Sequence, residues 1–201
     1  MSAEAVKLRA LILQRQLAGE SHLRLSLLEP ESGRREAFFR QAKSSKSSPP
    51  DSFDVADFQL EPAKGGGSWF VRDFRLVHRH RGLSRSYAVL QLAAQWTLFL
   101  TRNAEHCQEP ATVYELAVRT LSGMETTEQA DAALLKGYYL FARQEGWPVK
   151  EAWLSSLPRE TQADAIHMLN TPLEELAISP KQAARLHQSL KNWLATCDGI
   201  A

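Results

Sequence analysis

Apolar and polar residues alternate with a period of two through much of the first 80 positions. Leu23, Leu25 and Leu27 interleave with His22, Arg24 and Ser26, the pattern of a strand with one buried face. Glu29-Pro30-Glu31-Ser32-Gly33 then supplies turn residues, and Arg35 to Ala42 alternates again. Similar spacing predicts strands over Lys7–Gln16, Phe53–Glu61 and Ser68–His80, with Val6, Leu8, Ala10 and Ile12 alternating in the first and Phe70, Phe74 and Leu76 in the last. Lys64-Gly65-Gly66-Gly67 reads as a hairpin loop. Pro49 and Pro50 keep the polar stretch before them out of a sheet. Five short strands with little room for a crossover helix favour a small closed barrel, of which the OB-fold is the commonest five-stranded form and an SH3-like barrel the rival.

From Leu83 the period lengthens to that of a helix, marked by Leu90, Ala93, Ala94, Thr97 and Leu100. Helices are predicted over Ser84–Cys107, Pro110–Ser122, Thr127–Glu145, Lys150–Leu154, Pro158–Asn170 and Pro180–Cys197. Thr127 precedes an acidic first turn and reads as a cap, Ser179 stands before a proline at the first helical position, and Gly146 and Gly199 read as stops. The expected architecture is α+β: a five-stranded OB-fold barrel over 1–82, then an all-α helical domain over 83–201.

Composition bounds this picture without changing it. At 201 residues and 44% hydrophobic, the chain is able to bury a real core. No apolar run approaches the roughly 18 residues of a membrane span. Met1-Ser2-Ala3-Glu4 lacks the basic start of a secretion signal, so a cytoplasmic protein is expected. Cys107 and Cys197 are too far apart to suggest a disulfide framework or a zinc knuckle.

Charge is more telling when divided by position. Up to Gly82 there are 14 Lys and Arg against 10 Asp and Glu, a surplus of +4; the remainder has 10 against 13, or −3, which leaves the chain at +1. Two basic clusters stand out: Arg34, Arg35, Arg40, Lys43 and Lys46, then Arg72, Arg75, Arg79, Arg81 and Arg85. Clustered cations suit phosphates, because each contact releases condensed counterions.

Order and spacing add a family likeness. Gly19-Glu20-Ser21, then Leu27-Leu28-Glu29-Pro30-Glu31-Ser32-Gly33-Arg34, then Arg40-Gln41-Ala42-Lys43-Ser44-Ser45-Lys46-Ser47 run in register without a gap. They resemble the N-terminal pattern of the bacterial recombination mediator RecO: Gly-Glu-Ser, Leu-Leu-Thr-Pro-Glu-x-Gly-Lys, and Lys-Gly-Ala-Arg-Arg-x-Lys-Ser. Glu29 replaces the threonine, Gln41 the loop glycine and Ser44 one basic residue, and the four-cysteine zinc site of some members has no counterpart here. The chain therefore resembles a short, divergent, zinc-less member. That resemblance implies a non-enzymatic DNA-repair protein that binds single- and double-stranded DNA, promotes annealing and helps load the recombinase. It also implies contacts with RecR and with single-stranded-DNA-binding protein.

An OB barrel holds single strands by joining a cationic groove to aromatic faces on which bases stack. The expected nucleic-acid-binding residues are Arg34, Arg35, Phe38, Arg40, Lys43, Lys46, Arg72, Arg75, Arg79 and Arg81. Phe39 is expected in the core and Phe38 near the surface. His78-Arg79-His80-Arg81 reads as a basic junction rather than a metal site, although His106 and Cys107 offer another pair of ligand types. Gly65-Gly66-Gly67-Ser68 lacks the Gly-Lys-Ser/Thr of a phosphate loop, and no catalytic constellation, metal site or cofactor motif is recognised. Trp96, Phe99, Tyr138, Tyr139, Phe141, Trp147 and Trp153 read as helical core. Two other readings stand beside the DNA-repair one: a protein-interaction scaffold whose barrel no longer binds DNA, and an enzyme acting on nucleic acid.

Overall fold

In a computed structural model that describes residues 5–41, 48–63, 67–105 and 107–197, the two-residue periodicity becomes five strands. They are β1 (Val6–Leu17), β2 (His22–Glu29), β3 (Gly33–Arg40), β4 (Val55–Pro62) and β5 (Trp69–His78). Hydrogen-bonded in the order β1-β2-β3-β5-β4 and with β4 paired back to β1, they close a barrel. All pairings are antiparallel except β3 with β5. This is an OB-like barrel followed by helices.

Alternation explains its interior. Leu23, Leu25 and Leu27 of β2 meet Ala10, Ile12, Ala37, Ala56, Phe58 and Leu60 in one buried cluster, with Phe39, Trp69 and Phe74 packed against it. Each fully buried leucine contributes about 1.5–3 kcal/mol relative to exposure. Leu11 and Leu28 point to the other face yet are 0% exposed. The segment Asn103–Glu115 belongs to the same compact unit as the barrel. It meets the β2–β3 turn closely: a Cβ on Gly33 would lie 3.2 Å from the Ala104 carbonyl oxygen and 3.5 Å from Cys107 Sγ. Gly33 also takes φ +76°, so both the turn and the approach call for glycine. One end of the barrel wall is therefore covered.

The fourth strand begins at Val55 rather than Phe53. Phe53 adopts φ 72°, outside extended geometry, while its N–H donates to the Ile12 carbonyl. The last strand stops at His78, and the backbone then makes a 3₁₀ turn over Arg81–Arg85.

Helices follow: α1 (Tyr87–Asn103), α2 (Pro110–Thr126), α3 (Ala130–Gln144), a π turn over Val149–Trp153, α4 (Arg159–Asn170) and α5 (Pro180–Leu194). Arg81–Arg102 and Leu116–Ala201 form the second compact unit. Its core holds Trp96, Tyr138, Phe141 and Trp153, all at most 2% exposed; Phe99 and Trp147 are half-buried beside them. Helix α5 starts as expected, with Ser179 Oγ accepting from the Gln182 N–H. Helix α3 does not: Gln129 occupies the capping position, while Thr127 Oγ1 donates to the Gly123 carbonyl at the end of α2 and accepts from the Gln129 N–H. Gly146, at φ +79°, follows α3 as its stop, whereas Gly199 lies outside the described residues. No helix among the described residues is long and apolar enough to cross a membrane.

Candidate nucleic-acid interface

Strand register decides which candidates share a surface. On β3, Arg34, Glu36, Phe38 and Arg40 face outward and Arg35, Ala37 and Phe39 inward, because Leu25 and Leu23 of the core stand opposite Ala37 and Phe39. Phe38 thus lies outside and Phe39 packs against the core.

Phe38 pairs across β3 and β5 with Phe70, their ring centroids 5.7 Å apart at 36°. On its other side, β2 places Arg24 opposite Phe38 and His22 opposite Arg40. The His22 ring meets Phe70 edge-on at 6.2 Å, with Nδ1 within 3.1 Å of Ser21 Oγ. Arg24 donates to Gln16 Oε1 at 2.6 Å, and its nearest ion-pair distance, to Glu36, is 3.9 Å. Arg40 is exposed and makes no ion pair among the described residues. Two rings flanked by two guanidiniums and an imidazole thus occupy the outer face of strands 2, 3 and 5. The face of strands 2 and 3 is where OB barrels receive oligonucleotides.

Most of the other candidate cations are held by carboxylates. Arg34 lies six residues from Arg40 along one strand, roughly 20 Å, and its guanidinium donates to Glu36 at 3.1 Å and to Glu105 at 2.6 Å. Arg35 sits opposite Leu27, on the inward face. Its Nε donates to Glu29 Oε1 at 2.7 Å, and its guanidinium carbon lies 4.9 Å from the centroid of Trp69. Glu29 is 2% exposed and also accepts from Ser32 Oγ at 2.5 Å. The buried Glu29 carboxylate is thus paired with a half-buried Arg35 on the inward face. Alternation therefore sends the neighbouring candidates Arg34 and Arg35 to opposite faces of the barrel wall.

The second cluster is similarly divided. Arg72 donates to Glu61 at 2.6 Å, and Glu61 stands opposite Phe70, so this pair borders the aromatic surface. Arg75 and Arg9 converge on Asp57 from β5 and β1, at 2.6 and 2.7 Å. Their hydrogen bonds, Arg9's first and then Arg75's, hold the Asp57 carboxyl down at about 2. Arg79 grips the buried Asp54 with two parallel bonds of 2.9 and 2.6 Å, a fork suited to structural anchoring. Arg81 is exposed and opens the 3₁₀ turn of the second unit. Arg85 donates to the Met124 and Glu125 carbonyls at 2.6 and 2.9 Å, satisfying oxygens at the end of α2. Lys43 and Lys46 lie outside the described residues, as does His106. His78 Nε2 and His80 Nδ1 are 3.1 Å apart.

Of the ten expected residues, then, the described structure brings Phe38 and Arg40 together on the strand 2–3 face, with Arg72 at its border. Sequence reasoning missed His22, Arg24 and Phe70. The alternation on β2 already placed His22 and Arg24 on its polar face; the cross-strand register that sets them beside Phe38 is a product of folding. No protein-family model matches the chain, and no curated protein matches it significantly.

Proposed function

We propose that the barrel binds single-stranded nucleic acid, with bases stacked on Phe38 and Phe70 and phosphates held by Arg24 and Arg40. The observation that carries this reading is the paired rings set between Arg40, which has no ion pair among the described residues, and Arg24, whose contact to Glu36 is long at 3.9 Å. Stacking is sequence-tolerant, since every base has a π-face, and the cations add salt-sensitive affinity. With the RecO-like order of Gly19 to Ser47, this supports a cytoplasmic, non-enzymatic recombination mediator. Such a protein binds single- and double-stranded DNA, promotes annealing and recombinase loading, and engages RecR and single-stranded-DNA-binding protein.

The test is fluorescence anisotropy with a labelled oligothymidine. Phe38→Ala is expected to weaken binding by about 1–3 kcal/mol, the usual loss per stacked base. Arg40→Ala weakens it too, while Arg79→Ala in the folded protein leaves it nearly unchanged. Equal affinity of wild type and a Phe38→Ala/Arg40→Ala double variant would overturn the assignment. Neutralisation of Arg34, Arg35, Arg72, Arg75 and Arg79 by carboxylates favours a second reading, an interaction scaffold with an OB-like barrel that has lost DNA binding. Oligonucleotide binding too weak to measure at low salt is the result that selects it.

A further inference from the structure

Within the helical unit, α2, α3, α4 and the turn after α4 line a half-open cavity of about 420 Å³. That lies in the range of small-molecule sites, which are typically about 300–1,000 Å³. Its apolar wall includes Leu116, Leu140, Leu169 and Leu173, while Arg119 and Lys136 line it as well. Two glycines bring the walls close. A Cβ on Gly123 would lie 2.6 Å from Leu173 Cδ1, and one on Gly137 would lie 3.0 Å from Thr120 Oγ1 and Cγ2.

The charged residues lining this cavity are mostly cationic. Lys136 Nζ donates to the Thr171 carbonyl, and an ammonium carries three donors, so two remain for a ligand. Partial burial pulls its pKa below the ordinary lysine value, against the opposing influence of Glu174. Arg119 is exposed and forms no ion pair among the described residues. Two cations and one carboxylate, Glu174, line the cavity, a positive surplus beside an apolar wall.

We propose that this cavity binds a small aliphatic monocarboxylate, its chain among Leu116, Leu140, Leu169 and Leu173 and its head between Arg119 and Lys136. A charge-assisted hydrogen bond to each cation distinguishes such a ligand from a neutral alcohol of equal length. Octanoate and 1-octanol are the probes, titrated into the full chain and followed by methyl NMR. Octanoate is expected to shift the four leucine methyl signals and to bind about tenfold more tightly than octanol, as one charged hydrogen bond warrants. Arg119→Gln, at an exposed position, and Lys136→Met are each expected to weaken octanoate binding several-fold while leaving octanol binding unchanged. Absence of shifts at those leucines, equal affinity for the two probes, or octanoate affinity unchanged in both variants would overturn the proposal.

Discussion

Among arginines, the partner decides the role. Arg79 holds a carboxylate that is 2% exposed, so Arg79→Ala strands the Asp54 charge away from water. Breaking such a pair from one side costs about 3–5 kcal/mol when both groups are buried. Arg79 is itself 30% exposed, and a loss of about 2–3 kcal/mol in urea unfolding is expected. Arg40→Ala, by contrast, is expected to stay within about 0.5 kcal/mol of wild type. A similar cost for both would show that Arg40 is also structural. Asp57 adds a pH dependence. Its carboxyl is depressed from 3.8 to about 2 in the fold, so its ion pairs contribute fully above the unfolded value and are lost as pH falls from about 4 toward 2. Asp57→Asn is expected to flatten acid unfolding in that window, and an unchanged acid limb would contradict this. None of these partnerships was legible beforehand, because Asp54, Asp57, Glu29 and Glu61 reach their arginines through turns and strand pairing rather than through a run of charge.

At the scale of elements, much was legible. Alternating leucines marked the barrel strands and the 3.6 period marked the helices, since each pattern matches a face that must be buried. The errors fall where one residue's backbone or a competing hydrogen bond prevails. Phe53 leaves extended geometry at φ 72°, and Thr127 is tied to the Gly123 carbonyl instead of capping α3. Turn chemistry gives two tests. Gly33→Ala is expected to cost about 1–2 kcal/mol from left-handed backbone alone, and more from the Ala104 carbonyl at 3.2 Å. Ser179→Ala is expected to cost about 1 kcal/mol by removing the bond to the Gln182 N–H. Thermal unfolding reads both, and a Gly33→Ala protein as stable as wild type would show that the turn relaxes without penalty.

For the whole molecule, the number of free cations governs how binding responds to salt. Nine basic residues in the sequence-derived site, each meeting one phosphate of a single strand, would give a slope of log affinity against log salt of about −6. Carboxylates already neutralise Arg34, Arg35, Arg72, Arg75 and Arg79, so a phosphate gains them only by breaking an ion pair. Arg40 together with Arg24, whose 3.9 Å contact to Glu36 is the longest of these pairs, corresponds to a slope of about −1.4, and phosphate contacts from Lys43 and Lys46 would extend it to about −2.8. A shallow slope between those values is therefore expected for oligothymidine. With a net charge of +1 the chain adds little long-range attraction, which leaves stacking on Phe38 and Phe70 as the larger share of affinity at physiological salt. The two contributions separate in one experiment. Phe38→Ala lowers affinity equally at every salt concentration and keeps the slope, whereas Arg40→Ala reduces the slope's magnitude by about 0.7. A wild-type slope near −6 would mean that the ion pairs open on binding, and the paired arginines would then return to the interface.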